Sequence, residues 1–158
     1  MKSGSAILGG IWGATVISLL GVLIRGFGLP IKLELLMGSM FTHSTSPGTW
    51  LLGFVIHLAV GAVLALVYAV GFESIGRASA GLGAAFGVGH AIVAGLALAL
   101  VPPLHPLVPE AIPSPGPLMI GLGAAGVLAY VGLHLVYGAI VGWMYAPAQH
   151  ARRVAVAR

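Results

Sequence analysis

The chain contains no cysteine, which excludes disulfides, thiolate-held metals, iron–sulfur clusters and thiol redox chemistry for it on its own. Acidic residues are nearly absent too. Only 3 of the 158 residues are Asp or Glu and only 6% carry any charge. Those three, Glu34, Glu73 and Glu110, fall in connections between apolar stretches, so no carboxylate pair is expected to flank a substrate. There is also no nucleophile elbow, no Gly-rich phosphate loop leading into Lys-Ser or Lys-Thr, and no His-Glu-x-x-His zinc helix. The expectation is a protein that is not an enzyme. Its 7 Lys and Arg residues give a net charge of +4, but they are scattered over the ends and two connections with no basic helix among them. That pattern suits anionic lipid and not nucleic acid.

What fills the chain is apolar. Hydrophobic residues make up 59%, mean hydropathy is +1.08 and there are 25 glycines, the composition of a Gly-rich membrane bundle. Charges and prolines divide the chain into four spans, at about residues 5–24, 49–72, 79–101 and 118–145. Each reaches the roughly 20 residues needed to cross a hydrocarbon core of about 30 Å. In lipid a lone apolar segment must be helical to satisfy its backbone. The expected fold is an all-α integral membrane protein: a single membrane domain over 1–158 containing a four-transmembrane-helix bundle, with a basic tail over 147–158.

The charges predict orientation. Lys2, Arg77, Arg152, Arg153 and Arg158 share one side of such a bundle and Arg25 and Lys32 the other, which puts both termini in the cytoplasm. After the first span, Pro30 and the apolar Ile31, Leu35, Leu36 and Met40 predict a short interfacial helix in the first external loop. Seven of the ten prolines lie between Pro102 and Pro117, predicting a rigid, extended strap. The tail after Pro147 is expected loose on the lipid surface.

The second and fourth spans repeat each other. From His57 the chain reads HLAVGAVLALVYA and from His134 it reads HLVYGAIVGWMYA, so His57, Gly61 and Tyr68 recur as His134, Gly138 and Tyr145. A weaker echo sets Gly10 to Gly13 against Ala84 to Gly87. The reading is two tandem helical-hairpin repeats, about 5–72 and 79–145. Each holds an even number of spans, so the copies run parallel about a pseudo-two-fold axis along the membrane normal.

Each of those histidine, glycine and tyrosine sets stands on one helical face. With Tyr68 and Tyr145 at the cytoplasmic interface, His57 and His134 lie about 16 Å deeper. His90, eleven residues from the start of its span, reaches a similar level. Thr15 and Ser18 of the first span fall near the same layer. Small residues at Gly53 and Gly61, at Gly87, Ala91 and Gly95, and at Gly138 and Gly142 supply the close packing such a ring needs.

Three readings of His57, His90 and His134 stand open. They crosslink helices by hydrogen bonds; they ligate a haem b, copper or zinc; or they line a proton or solute path. A second cluster, Met37, Met40 and His43, has the soft donors that suit copper(I), with His105 and Glu110 on the same side. The function expected is an integral membrane binding or accessory subunit, its partners being the lipid bilayer and other membrane subunits or further copies of itself. The alternative class is a small-solute, ion or proton transporter or channel component.

The run HLVYGAIVGWMYA around His134, its counterpart around His57 and the Gly-rich opening span resemble the small uncharacterised four-helix inner-membrane proteins of bacteria of the YagU type. That resemblance implies a compact bundle in the bacterial cytoplasmic membrane. It implies no activity.

Overall fold

Ser3–Gly26 forms α1, Leu33–Thr42 α2, Pro47–Ile75 α3 and Ala80–Ala97 α4. A 3-10 turn at Leu98–Leu100 carries α4 into the short α5, Val101–Leu104, and another at Pro117–Leu122 precedes α6, Gly123–Val156. This computed structural model describes the backbone through Val156 and side chains through Gln149. The side chains of Arg152 and Arg153 and the whole of Arg158 lie outside the described residues. Among the described residues every regular element is helical. Four stretches, Ser3–Gly26, Pro47–Ile75, Ala80–Leu104 and Pro117–Gln149, are long and apolar enough to cross a membrane. Their ends lie within about one helical turn of those read from hydropathy.

Local chemistry sets several of these boundaries. Ser46 accepts a hydrogen bond from the Thr49 backbone N–H at 3.3 Å and Pro47 follows at the first helical position, so α3 starts there. Gly76, at φ 79°, ends it in the left-handed conformation that glycine adopts without strain. Ser79 then caps α4 by accepting from Leu82 N–H at 3.1 Å.

Helices α1 and α4 bury mainly small residues. The buried face of α1 consists of Ala6, Gly9, Gly10, Gly13, Ala14, Ser18 and Gly21, and that of α4 of Gly83, Gly87, Ala91 and Gly95. Leu19, Val63, Val67, Val93 and Leu128 are exposed. This arrangement suits lipid, where association comes from close backbone packing and not from expelling water. Helix α1 packs on α3 and α6, and α4 packs on α6. Gly61 lies against the Gly10 carbonyl, and Gly138 against that of Gly83. A side chain at Gly138 would collide with backbone, which cannot yield.

Between α1 and α3, α2 lies antiparallel against the first turns of α3. Gly38 meets the Thr49 carbonyl and Gly53 meets that of Glu34, contacts that only glycine permits. Glu34, Leu36, Gly38 and Ser39 are consequently buried.

The proline-rich connection is not an extended strap. Pro102 and Pro103 sit inside α5, and a series of turns follows. Val108 and Ile112 are thereby buried against Leu36 of α2, because tucking these side chains away outweighs the extended preference of the prolines. Leu118 and Met119 adopt left-handed φ values of 53° and 62°, uncommon for residues other than glycine, just before α6. Nor does the helix stop at Pro147: α6 continues to Val156, and Gln149 is buried, donating to the Phe72 carbonyl at 2.8 Å.

At the end carrying the termini, Ala6, Ala65, Ala69, Phe72, Val141 and Tyr145 form a filled core. Tyr145 is therefore buried within the bundle, at the end where Lys2 and Glu73 lie. It donates to Glu73 Oε1 at 2.6 Å and accepts from the Lys2 backbone N–H at 3.1 Å. Tyr68 is buried as well, in contact with Phe72, Phe86 and Tyr137. Both tyrosines thus face into the bundle.

Candidate functional site

Helices α3, α4 and α6 carry His57, His90 and His134 to the wall of one cavity of about 180 Å³. His90 and His134 meet edge to face with ring centroids 4.7 Å apart and planes at 83°. The close approach follows from Gly87, whose α-carbon sits on the His134 carbonyl where any side chain would hold α4 away.

The Nδ1 atom of each ring is engaged. His57 Nδ1 bonds Ser18 Oγ at 3.0 Å, His90 Nδ1 bonds the Tyr68 hydroxyl at 3.3 Å, and His134 Nδ1 lies 2.8 Å from the Tyr130 carbonyl. A carbonyl only accepts, so His134 carries its proton on Nδ1 and keeps a bare lone pair on Nε2. The partners of His57 and His90 are hydroxyls, which donate or accept, so those two rings are free to take either tautomer. Among the described residues no hydrogen bond reaches Nε2 of any of the three. Ser18 joins the layer as expected. The Thr15 hydroxyl bonds no histidine and donates to the Ile11 carbonyl one turn back.

Two tyrosines complete the polar wall, and sequence reasoning missed both. Tyr137 donates to the Gly61 carbonyl at 2.5 Å, and Tyr130 donates to the Ala91 carbonyl at 3.2 Å. The signal was present: Tyr130, His134 and Tyr137 follow i, i+4, i+7 spacing on one face. The remaining wall is apolar, including Ile17, Val60, Leu64 and Ala94. Leu33 and Met37 of α2 also line the cavity. No residue lining it is charged.

A carboxylate nevertheless stands nearby. Glu34 is buried, within electrostatic range of His57, and paired with Arg25 Nη1 at 3.4 Å. The same nitrogen donates to the Ile31 carbonyl at 2.8 Å. Glu34 lies in the first connection between spans, and the glycine contacts between α2 and α3 bury it there.

The residues present do not fit a haem. A cavity of about 150 Å³ accommodates benzene, whereas drug-sized ligands need about 300 Å³ or more, and a macrocycle exceeds that. His90 and His134 already touch, leaving no slot between them for a ring system. The residues of the second set line different surfaces. Met37 lines the histidine cavity, Met40 lies on an adjoining groove that Met37 also borders, and His43 lines neither. His43 is exposed, ending α2 at φ 49°. His105 is occupied too: Nδ1 accepts from Leu107 N–H at 3.1 Å, so Nε2–H donates to the Leu36 carbonyl at 2.9 Å. Among the described residues no group of three or more His, Asp or Glu is placed to hold a metal ion. What the cavity offers is hydrogen bonding to a small uncharged molecule. No family model, curated protein or solved structure matches this chain.

Proposed function

We propose that this chain is a non-enzymatic integral membrane protein of the bacterial inner membrane, a binding or accessory subunit that holds a small neutral ligand in its three-histidine cavity. One observation carries the reading: three imidazoles from three helices, each anchored through Nδ1, border an uncharged space about the size of one six-membered ring. Anchored rings with an unused nitrogen are preorganised for a ligand, because little side-chain entropy remains to be lost on binding.

Duplication of the hairpin fits the paired contacts, Gly61 on Gly10 and Gly138 on Gly83, each four residues beyond a cavity histidine. Lys2 and Arg77 belong to the end that carries the termini and Arg25 and Lys32 to the other, in keeping with cytoplasmic termini. Helix α2, with Met40 and Phe41 exposed beside its buried face, fits a helix docked at the outer boundary. A through-channel is less well supported, because Ala65, Phe72, Val141 and Tyr145 fill the terminal end and are all fully buried.

The test is titration of p-cresol into the protein in lipid nanodiscs, read by the nitrogen NMR shifts of the histidine rings. The expected result is a saturable shift at His134 that is lost in Ala94→Phe, which fills the cavity. Absence of any saturable shift in the unaltered protein would overturn the reading.

A further inference from the structure

Beside the histidine cavity lies a second space of about 340 Å³, between α2 and the end of α4 and α5. Leu33, Met37 and Leu98 border both, so the two spaces share a wall and adjoin along it. The second space is apolar, lined by residues such as Met40, Ala97, Leu100 and Leu104. Met40, Leu100 and Leu104 are 42%, 59% and 67% exposed, so its outer lip opens onto the apolar belt of the bundle. Its one imidazole, His105, has both nitrogens spent on Leu107 and Leu36.

A ring-sized chamber with three imidazoles in its wall, adjoining an apolar trough that opens sideways, has the shape of an amphiphile with a cyclic head and a long tail. We infer that the ligand is an isoprenoid quinone or quinol, its ring among His57, His90 and His134 and its tail lying past Met37 and Leu98 into the trough. This rests on the reading of the cavity as a ligand site.

Four features select this class. No cation lines the chamber, which disfavours fatty acids and phosphate headgroups. The chamber volume matches a single ring. The hydrogen-bonding groups suit both redox forms: the bare Nε2 of His134 accepts from a quinol hydroxyl, and His57 or His90, protonated on Nε2, donates to a quinone carbonyl. Entry from the side suits a ligand that never leaves the bilayer.

The experiment titrates decylubiquinone, p-cresol and laurate into nanodiscs bearing the full chain, with the histidine nitrogen shifts as readout. Ala97 borders the trough but not the chamber, so Ala97→Trp is expected to weaken decylubiquinone about tenfold while leaving p-cresol unchanged. Met40→Trp, from the α2 wall, is expected to do the same and guards against misfolding of the first variant. Laurate is expected to leave the shifts unmoved. If p-cresol binds and neither tryptophan affects decylubiquinone, the quinone assignment fails while the chamber stands. Laurate binding as tightly as decylubiquinone overturns the neutral ring head. If neither p-cresol nor decylubiquinone moves the shifts, both readings fall.

Discussion

His90 and His134 are in edge-to-face contact at 4.7 Å because Gly87 allows α4 to rest directly on the His134 carbonyl. The site is thus set by a glycine that touches no ligand. A Cβ at Gly87 would lie 2.9 Å from the His134 carbonyl carbon and 3.2 Å from the Leu135 α-carbon. Gly87→Ala should therefore cost about 1 to 3 kcal/mol through overpacking against backbone. Gly89→Ala, with nothing within 4 Å, should be neutral or stabilising by up to about 1 kcal/mol. Denaturant titration of the two variants in mixed micelles checks the contrast; equal effects would mean that α4 and α6 do not meet at Gly87.

Arg25 and Glu34 form an ion pair in which the carboxylate is 3% exposed and the guanidinium 23%. Arg25→Gln leaves Glu34 buried and unpaired, and should destabilise by about 3 to 5 kcal/mol. The double variant Arg25→Gln with Glu34→Gln should recover most of that loss. A thermal unfolding series distinguishes this from an exposed pair, for which both changes would have effects under about 1 kcal/mol.

Tyr68→Phe removes the hydroxyl on His90 Nδ1. The expected loss is about 0.6 to 1 kcal/mol, the range for a hydrogen bond between membrane helices. The nitrogen spectrum should show a changed tautomer balance at His90, while His134, held by a backbone carbonyl, stays protonated on Nδ1.

Tyr145→Phe and Trp143→Leu alter aromatic residues two positions apart with opposite surroundings. Tyr145 is fully buried and bonded to Glu73, whereas Trp143 is 67% exposed. Losing the charge-assisted bond should cost about 1.5 to 3 kcal/mol, and Trp143→Leu should stay within about 0.5 kcal/mol. Unfolding measurements on the two single variants provide the comparison.

Much of this was legible in the sequence, and the reason is physical. Four apolar stretches in a chain with few charges leave little choice but helices, and counting residues along them brings His57, His90 and His134 to one level. Small residues at four-residue steps mark the buried faces, as Gly83, Gly87, Ala91 and Gly95 show. The connections were harder to read. The short helix after the first span could be read, but the burial of Glu34 on it depends on Gly38 and Gly53 meeting across two helices, a pairing that no local pattern encodes. The proline-rich segment looks extended residue by residue, yet Val108 and Ile112 fold it onto Leu36. Tyr130 and Tyr137 lie outside the repeated histidine, glycine and tyrosine pattern, although their spacing about His134 marks the same face.

The convergence of the rings is tested most directly by magic-angle-spinning NMR of the histidine-labelled protein in lipid bilayers. A ring-to-ring correlation between His90 and His134 is expected, disappearing in His90→Gln, together with an Nδ1-protonated tautomer at His134. No such correlation, combined with histidine signals broadened by a paramagnetic agent dissolved in the lipid tails, would place the rings outside the bundle and contradict the shared cavity.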